Sequence, residues 1–372
     1  MPSSQQEASV GRVVVPFERE AVPTALRRLA HHEVLERWQA VDRTAHGVHL
    51  VAVAGDGGGD DADWTGAALV TARPHTAYLK IVDALGDVQA AVAAVVGHAR
   101  ERGLVQVKWE GWTARSEDAA DAGFTVLRPP ATDNTGPASA YVRWLHAGET
   151  VPEPPYYGQT THFSCGAVTA LVAQAHAGTL PVESLDRRAE LTLWREATNF
   201  PSCEPVGLGV AVRRTWPSSS VTVHLDVDRP VLLDHFPETE QEWRAHLQRM
   251  SRADAARIGV PVEPHRLLPA GIRGAVGRRE QVLLLISLAG MQGFDVPHWV
   301  LCHGIVPGAV VVEDPWHGTA TGDTWVDAHL LPVPDESLDT MAAVPPDHFH
   351  GAVLIGARPA ARTAFLSDSA GA

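Results

Sequence analysis

The sequence predicts two folded units: a smaller α/β unit over residues 1–148, followed by a larger α+β domain over residues 149–372. Three observations carry this expectation. At 372 residues the chain is longer than one hydrophobic core usually organises. The stretch "HAGETVPEPPYYGQ", residues 146–159, clusters proline and glycine and interrupts the patterned sequence on either side. Downstream of it, helical periodicity comes first and period-two apolar runs follow from about Glu280, the order of an α+β layout with a sheet packed on a helix.

Composition narrows the function. An apolar share of 45% suits a well-buried globular chain, and a net charge of −14 with a pI near 5.7 argues against a surface built to neutralise phosphates or anionic lipid. Neither nucleic acid nor a membrane is expected as a partner. The first residues, "MPSSQQEASVGRVVVPFERE", lack a basic segment leading into an apolar one, and the chain reads as cytoplasmic. Three cysteines, Cys165, Cys203 and Cys302, lie far apart, and an odd number leaves at least one thiol free. Zinc-type C-x-x-C spacing is missing and the 19 histidines are scattered, so no metal site is expected.

In the first unit, "HGVHLVAVAG" and "TGAALVTARPHTAYLKIVDAL" read as strands, being short β-prone runs bounded by Gly, Pro and Asp. "DVQAAVAAVVGHARERG" reads as a helix with Asp87 as N-cap and Gly103 beyond its C-terminus. Strand "LVQVKWEG", helix "ARSEDAADAGF" and strand "FTVLRP" follow. The acidic, glycine-rich run Gly55–Asp63 lacks the spaced ligands of a calcium loop and reads as a solvated hairpin turn. In the second unit, "GAVTALVAQAHAG", "LDRRAELTLWREAT", "EPVGLGVAVRRTW" and "AHLQRMSRADAARIG" read as helices. "SVTVHLDVDRPVLLDHF" contains a strand, and "QVLLLISLAG", "PHWVLCHGIV", "GAVVVEDPW" and "HGAVLIGARP" complete the sheet.

Cys165 falls at the first turn of the helix that begins near Gly166, where free N–H groups and the helix dipole favour a thiolate. A cysteine nucleophile also needs a base, which in papain-like chains arrives on a strand roughly 130–150 residues downstream. His298, 133 positions after Cys165, opens "HWVLCHGIVPGAVVVEDP". With the turn centred on Val306, His298 and Asp314 would stand directly opposite each other, close enough for an imidazole–carboxylate bond. Gln159, six residues before the cysteine, can supply one oxyanion donor and the Cys165 backbone N–H a second.

Gln159, Cys165-Gly166, His298-Trp299-Val300 and Asp314-Pro315 resemble the Q…C-G…H-[FWY]-V…D-P signature of the double-glycine leader peptidases of bacteriocin exporters and their free-standing papain-like relatives. The resemblance covers about residues 150–360 and implies a papain-like cysteine peptidase domain; the chain departs from the family pattern in a helical insertion, expected at about 180–280, that separates the two motif halves. It implies Cys165 as nucleophile, His298 as general base and acid, Asp314 as orienter and Gln159 as oxyanion donor. His162, Gly166, Trp299 and Trp316 are the candidate substrate-binding residues. His162 could instead be a solvent-facing turn residue, and Trp299 a plain strand aromatic. His303 is a rival base expected on the opposite strand face. Cys302 is expected to be a core thiol, and Cys203 a structural residue before a helix rather than a resolving or metal-binding one.

The element order of the first unit, with its "AGF" step at Ala122–Phe124, resembles the GCN5-related N-acetyltransferase fold. That fold cradles a pyrophosphate in a glycine-rich loop at a helix N-terminus. "IVDALGDVQAAV" has only Gly86 there, with Asp83 and Asp87 where an anion would sit, so the unit is expected not to acetylate. The expected activity is cleavage of a peptide, amide or related acyl bond through a thioester, with no cofactor or metal required. The substrate would be a peptide or small acyl or amide compound, free or carrier-linked. Transfer of the acyl group to an amine, coenzyme A-dependent acetylation and simple binding stay open as alternatives.

Overall fold

The computed structural model describes residues 11–55, 63–131, 136–146, 151–197, 201–234 and 236–357. Most of the acidic run Gly55–Asp63, read above as a hairpin turn, lies outside the described residues. The chain begins with β1 (Arg12–Pro16), α1 (Thr24–Leu29) and α2 (His32–Gln39), then β2 (His49–Ala54), β3 (Trp64–Thr71) and β4 (Tyr78–Gly86). After α3 (Val88–Glu101) come β5 (Gln106–Glu110), α4 (Ser116–Asp121), β6 (Thr125–Val126) and β7 (Ala140–Trp144). The Asp87 carboxylate caps α3 by accepting from Ala90 N–H at 3.0 Å, and Gly103 follows it at a φ of +69°. These strands form one sheet in the order β1-β2-β3-β4-β5-β7-β6, antiparallel except where β4 and β5 run parallel.

Alternation along β4 and β5 sorts their residues by face. Leu79, Ile81, Val107 and Trp109 pack with Ala91, Val92 and Val95 of α3. Tyr78, Lys80, Gln106, Lys108 and Glu110 point the other way, and all are buried as well. They are covered by the second half of the chain: Lys108 Nζ donates to the carbonyls of Val326, Asp327 and His329, and Gln106 Nε2 donates to that of Leu330.

That half begins with α5 (Cys165–His176), α6 (Arg187–Ala197), α7 (Pro205–Thr215), β8 (Ser219–Leu225), α8 (Glu238–Ile258), β9 (Val262–Glu263) and α9 (Pro269–Gly277). It continues with β10 (Gln281–Ser287), α10 (Ala289–Gln292), β11 (Pro297–Val306), β12 (Ala309–Glu313), α11 (Trp325–Ala328), β13 (Leu331–Pro334), α12 (Asp335–Ala342) and β14 (Gly351–Ala357). The strands form a second sheet, β13-β12-β11-β10-β14-β8-β9. The stretch at 180–280 thus holds helices α6 to α9 and also β8, which pairs with β14.

α5 is apolar on every side and buried from Cys165 to Ala175, as expected of a helix enclosed in a core. It shares that core with Leu283, Leu285, Trp299 and Leu301 of β10 and β11. The alternate residues Val282, Leu284, Ile286, Val300 and Cys302 face a second core with Ile272, Leu338 and Met341 of α9 and α12. No described helix is long and apolar enough to cross a membrane.

Candidate active site

Cys165 is the first residue of α5, after Ser164 as N-cap, and its side chain is largely buried at the dipole's positive end. β11 brings up His298, whose Nε2 meets Asp314 Oδ1 at 2.7 Å. The Cys165 sulfur lies close enough to the same ring to act on its charge. With Nε2 engaged by Asp314, Nδ1 is the ring nitrogen left for another partner. Burial opposes a charge on His298, but Asp314, then Cys165, overcome it and raise its pKa to about 10. Burial would raise Asp314, yet His298 and Arg73 hold its carboxyl at about 2. An imidazolium between a carboxylate and a sulfur is the arrangement that keeps a thiolate available near neutral pH.

The expected direct opposition of His298 and Asp314 is not what the hairpin does. The turn is the two-residue Pro307–Gly308, with Val306 paired to Ala309, and a bulge at His303 shifts the register so that Leu301 faces Glu313. Asp314 therefore follows the ladder beside Val300, two residues from His298. A diagonal pair shares a face and is within reach of long side chains, so the bond forms all the same. The bulged His303 approaches Glu313 at 3.6 Å rather than Asp314, in line with its expected separation from the site.

Gln159 is tied to this strand end, its N–H donating to the Pro315 carbonyl at 2.7 Å. Its Nε2 donates to the Thr161 carbonyl at 2.7 Å, leaving the second amide hydrogen for another acceptor. His162 is exposed in the same turn. Trp316 is half-buried edge-on against Phe294, with ring centroids 5.4 Å apart. Trp299 sits behind the cysteine rather than at the surface: it is buried, and its indole N–H donates to the Cys203 carbonyl at 3.0 Å. Gly166 faces the same interior, where an added Cβ would lie 3.0 Å from both Cys203 Cβ and Trp299 Cδ1. Cys203 and Cys302 are buried thiols whose pKa values burial raises, the inert condition of core cysteines. Among the described residues no group of side chains is placed to hold a metal ion.

Two residues of the site escaped sequence reasoning. Glu190 on α6 is buried and gathers the turn before Cys165, accepting from Tyr157 Oη at 2.9 Å, Thr160 N–H at 2.8 Å and Ser164 Oγ. Arg73, from the segment after β3, donates through Nη1 to Asp314 Oδ2 at 2.7 Å. Neither carries a local signal, since each lies in ordinary amphipathic or loop sequence remote from the cysteine.

Residues 154–356 match the model of the Peptidase_C39 like family. Among solved structures, one described as a C39-like peptidase from Bacillus anthracis is 11% identical, over 57% of this chain and 100% of its own, with a TM-score of 0.31. A GNAT-family acetyltransferase from Desulfovibrio desulfuricans is 19% identical, over 36% of this chain and 97% of its own, with a TM-score of 0.27. Nourseothricin acetyltransferase is 17% identical over 27% of this chain; the chain spans 66% of that protein, with a TM-score of 0.22. None of the curated proteins compared with the chain matches it.

Proposed function

The chain belongs to the Peptidase_C39 like family, and on that premise we propose that it is a cysteine-dependent hydrolase of a peptide, amide or related acyl bond. The observation that carries this reading is the His298–Asp314 bond at 2.7 Å, with Cys165, at the start of α5, close enough to the same ring to act on its charge. His298 takes the thiol proton, and the sulfur attacks the substrate carbonyl. The oxyanion is held by the Cys165 backbone N–H and the free amide hydrogen of Gln159. Imidazolium then protonates the leaving group, giving a thioester. Water, deprotonated by His298, releases the acid and restores the thiol. An amine in place of water would make the same site an acyltransferase.

The N-terminal part fits a non-acetylating role, because the Asp87 carboxylate already caps the α3 terminus where a pyrophosphate would need free N–H groups.

The test is mass spectrometry of the intact protein after brief, substoichiometric iodoacetamide treatment across pH. Labelling confined to Cys165, persisting well below pH 8 and lost in Cys165→Ala, is the expected result, with a large decrease in His298→Ala. Even labelling of the three cysteines would sink the reading.

A further inference from the structure

We propose that Arg73 is a positioning residue for the Cys165–His298–Asp314 site, locking the Asp314 carboxylate from the N-terminal half of the molecule so that one oxygen stays on His298. This rests on the reading of that site as a catalytic triad.

Asp314 has no exposed side-chain surface. Its Oδ1 accepts from His298 Nε2 at 2.7 Å and from Trp316 N–H at 2.8 Å, and Arg73 Nη1 is its donor at Oδ2. Without that donor the carboxylate could turn about its Cβ–Cγ bond and share the imidazole poorly. Arg73 is itself held on three sides. Its Nε and Nη2 meet Asp323 Oδ2 at 3.1 and 2.9 Å, and Nη2 also donates to the Trp316 carbonyl at 3.1 Å. Asp323 is fixed in turn by Gln292 Nε2 at 2.9 Å and Gly318 N–H at 3.3 Å, with His46 Nδ1 at 3.4 Å. This division of one planar guanidinium among two carboxylates and a carbonyl is beyond an ammonium point charge.

The same interface supplies its own control. Lys80 pairs with Asp327 and with Glu110, the latter at 2.8 Å, and is as buried as Arg73. The Lys80–Asp327 pair joins the two halves of the molecule without touching Cys165, His298 or Asp314. The other titratable groups around the arginine and Asp314 are Tyr78, Lys108, Asp327, Tyr156 and His317, with Asp323 and His46 behind and Cys165 beyond His298.

The experiment follows the pH dependence of iodoacetamide labelling at Cys165 in the full chain for wild type, Arg73→Met, Arg73→Lys and Lys80→Met, with the fold checked by circular dichroism. In Arg73→Met the acidic limb of the labelling profile is expected to move about one pH unit higher, so that the rate on that limb falls about tenfold. Arg73→Lys, which keeps the charge, recovers part of that shift, and Lys80→Met keeps the wild-type limb even where it melts earlier. If Arg73→Met does not fold, Arg73→Met combined with Asp323→Asn, which removes the stranded second acid, is expected to show the same shift. A wild-type limb in the folded Arg73 variant, or an equal shift in Lys80→Met, overturns the proposal. Absence of selective Cys165 labelling in the wild type would instead defeat the triad reading on which it rests.

Discussion

At the residue scale, the proposed chemistry depends on what burial does to two side chains, His298 and Asp314. His298 is buried, which alone would favour its neutral form, but a carboxylate at 2.7 Å and the Cys165 sulfur reverse that preference. Its pKa of about 10 lies above the ordinary value of 6.5, so its charge stabilises the fold fully below about pH 6.5 and the contribution is lost as pH rises through about 10. Asp314 works in the opposite sense, stabilising above its ordinary 3.8 and losing that contribution as pH falls through about 2. Urea melts of wild type and His298→Gln should therefore differ most near pH 6 and converge toward pH 10. A difference that grows with pH would contradict the assignment of an imidazolium here. Cys165, His298, Asp314 and Gln159 were all legible in the sequence, because helix-start, strand and turn signals flank them. Their spacing in space was legible only approximately: the bulge at His303 makes the histidine–aspartate pair diagonal where direct opposition was expected.

At the element scale, the position of Cys165 is set by α5 and by the turn that leads into it. Thr169 Oγ1 anchors α5 to β11 by donating to the Trp299 carbonyl at 3.1 Å. The turn is gathered from the other side by α6, through Glu190. Glu190→Ala would strand several buried donors at a cost of about 1–3 kcal/mol each and let Gln159 and Ser164 drift. We expect a loss of about 10- to 100-fold in the Cys165 labelling rate, since displacements of about 1 Å at a reacting group have effects of that size. Glu190→Gln, which keeps the shape and part of the bonding, should lose less. Equal labelling in wild type and Glu190→Ala would show that α6 has no hand in holding the turn. The strands and helices around this site were largely readable from periodicity. β1, β7, β9, β13, α1, α2, α9, α11, α12 and the short α10 were not, being brief or of mixed character, with existence decided by packing.

At the scale of the whole molecule, the two sheets meet across a buried polar seam: the Tyr78–Lys80 and Gln106–Glu110 face of the first meets residues 322–330 of the second half. Breaking a buried ion pair by removing one partner costs about 3–5 kcal/mol, because the remaining charge has no water to turn to. Lys80→Met, which leaves Asp327 and Glu110 without their ammonium, should lower stability by about that much in a denaturant melt. A change below about 1 kcal/mol would mean the seam is hydrated. By itself the sequence determined the α+β class, the helix that opens on Cys165 and the residues proposed as a triad, because each rests on local signals: capping, period-two alternation, helix-terminus electrostatics and motif spacing. Only the tertiary structure decided that Lys80, Lys108 and Glu110 are interior, and that Arg73 and Glu190 reach the site. Alternation along a strand tells which residues share a face but not what covers that face, and a charged face reads as solvated until a second sheet is laid on it.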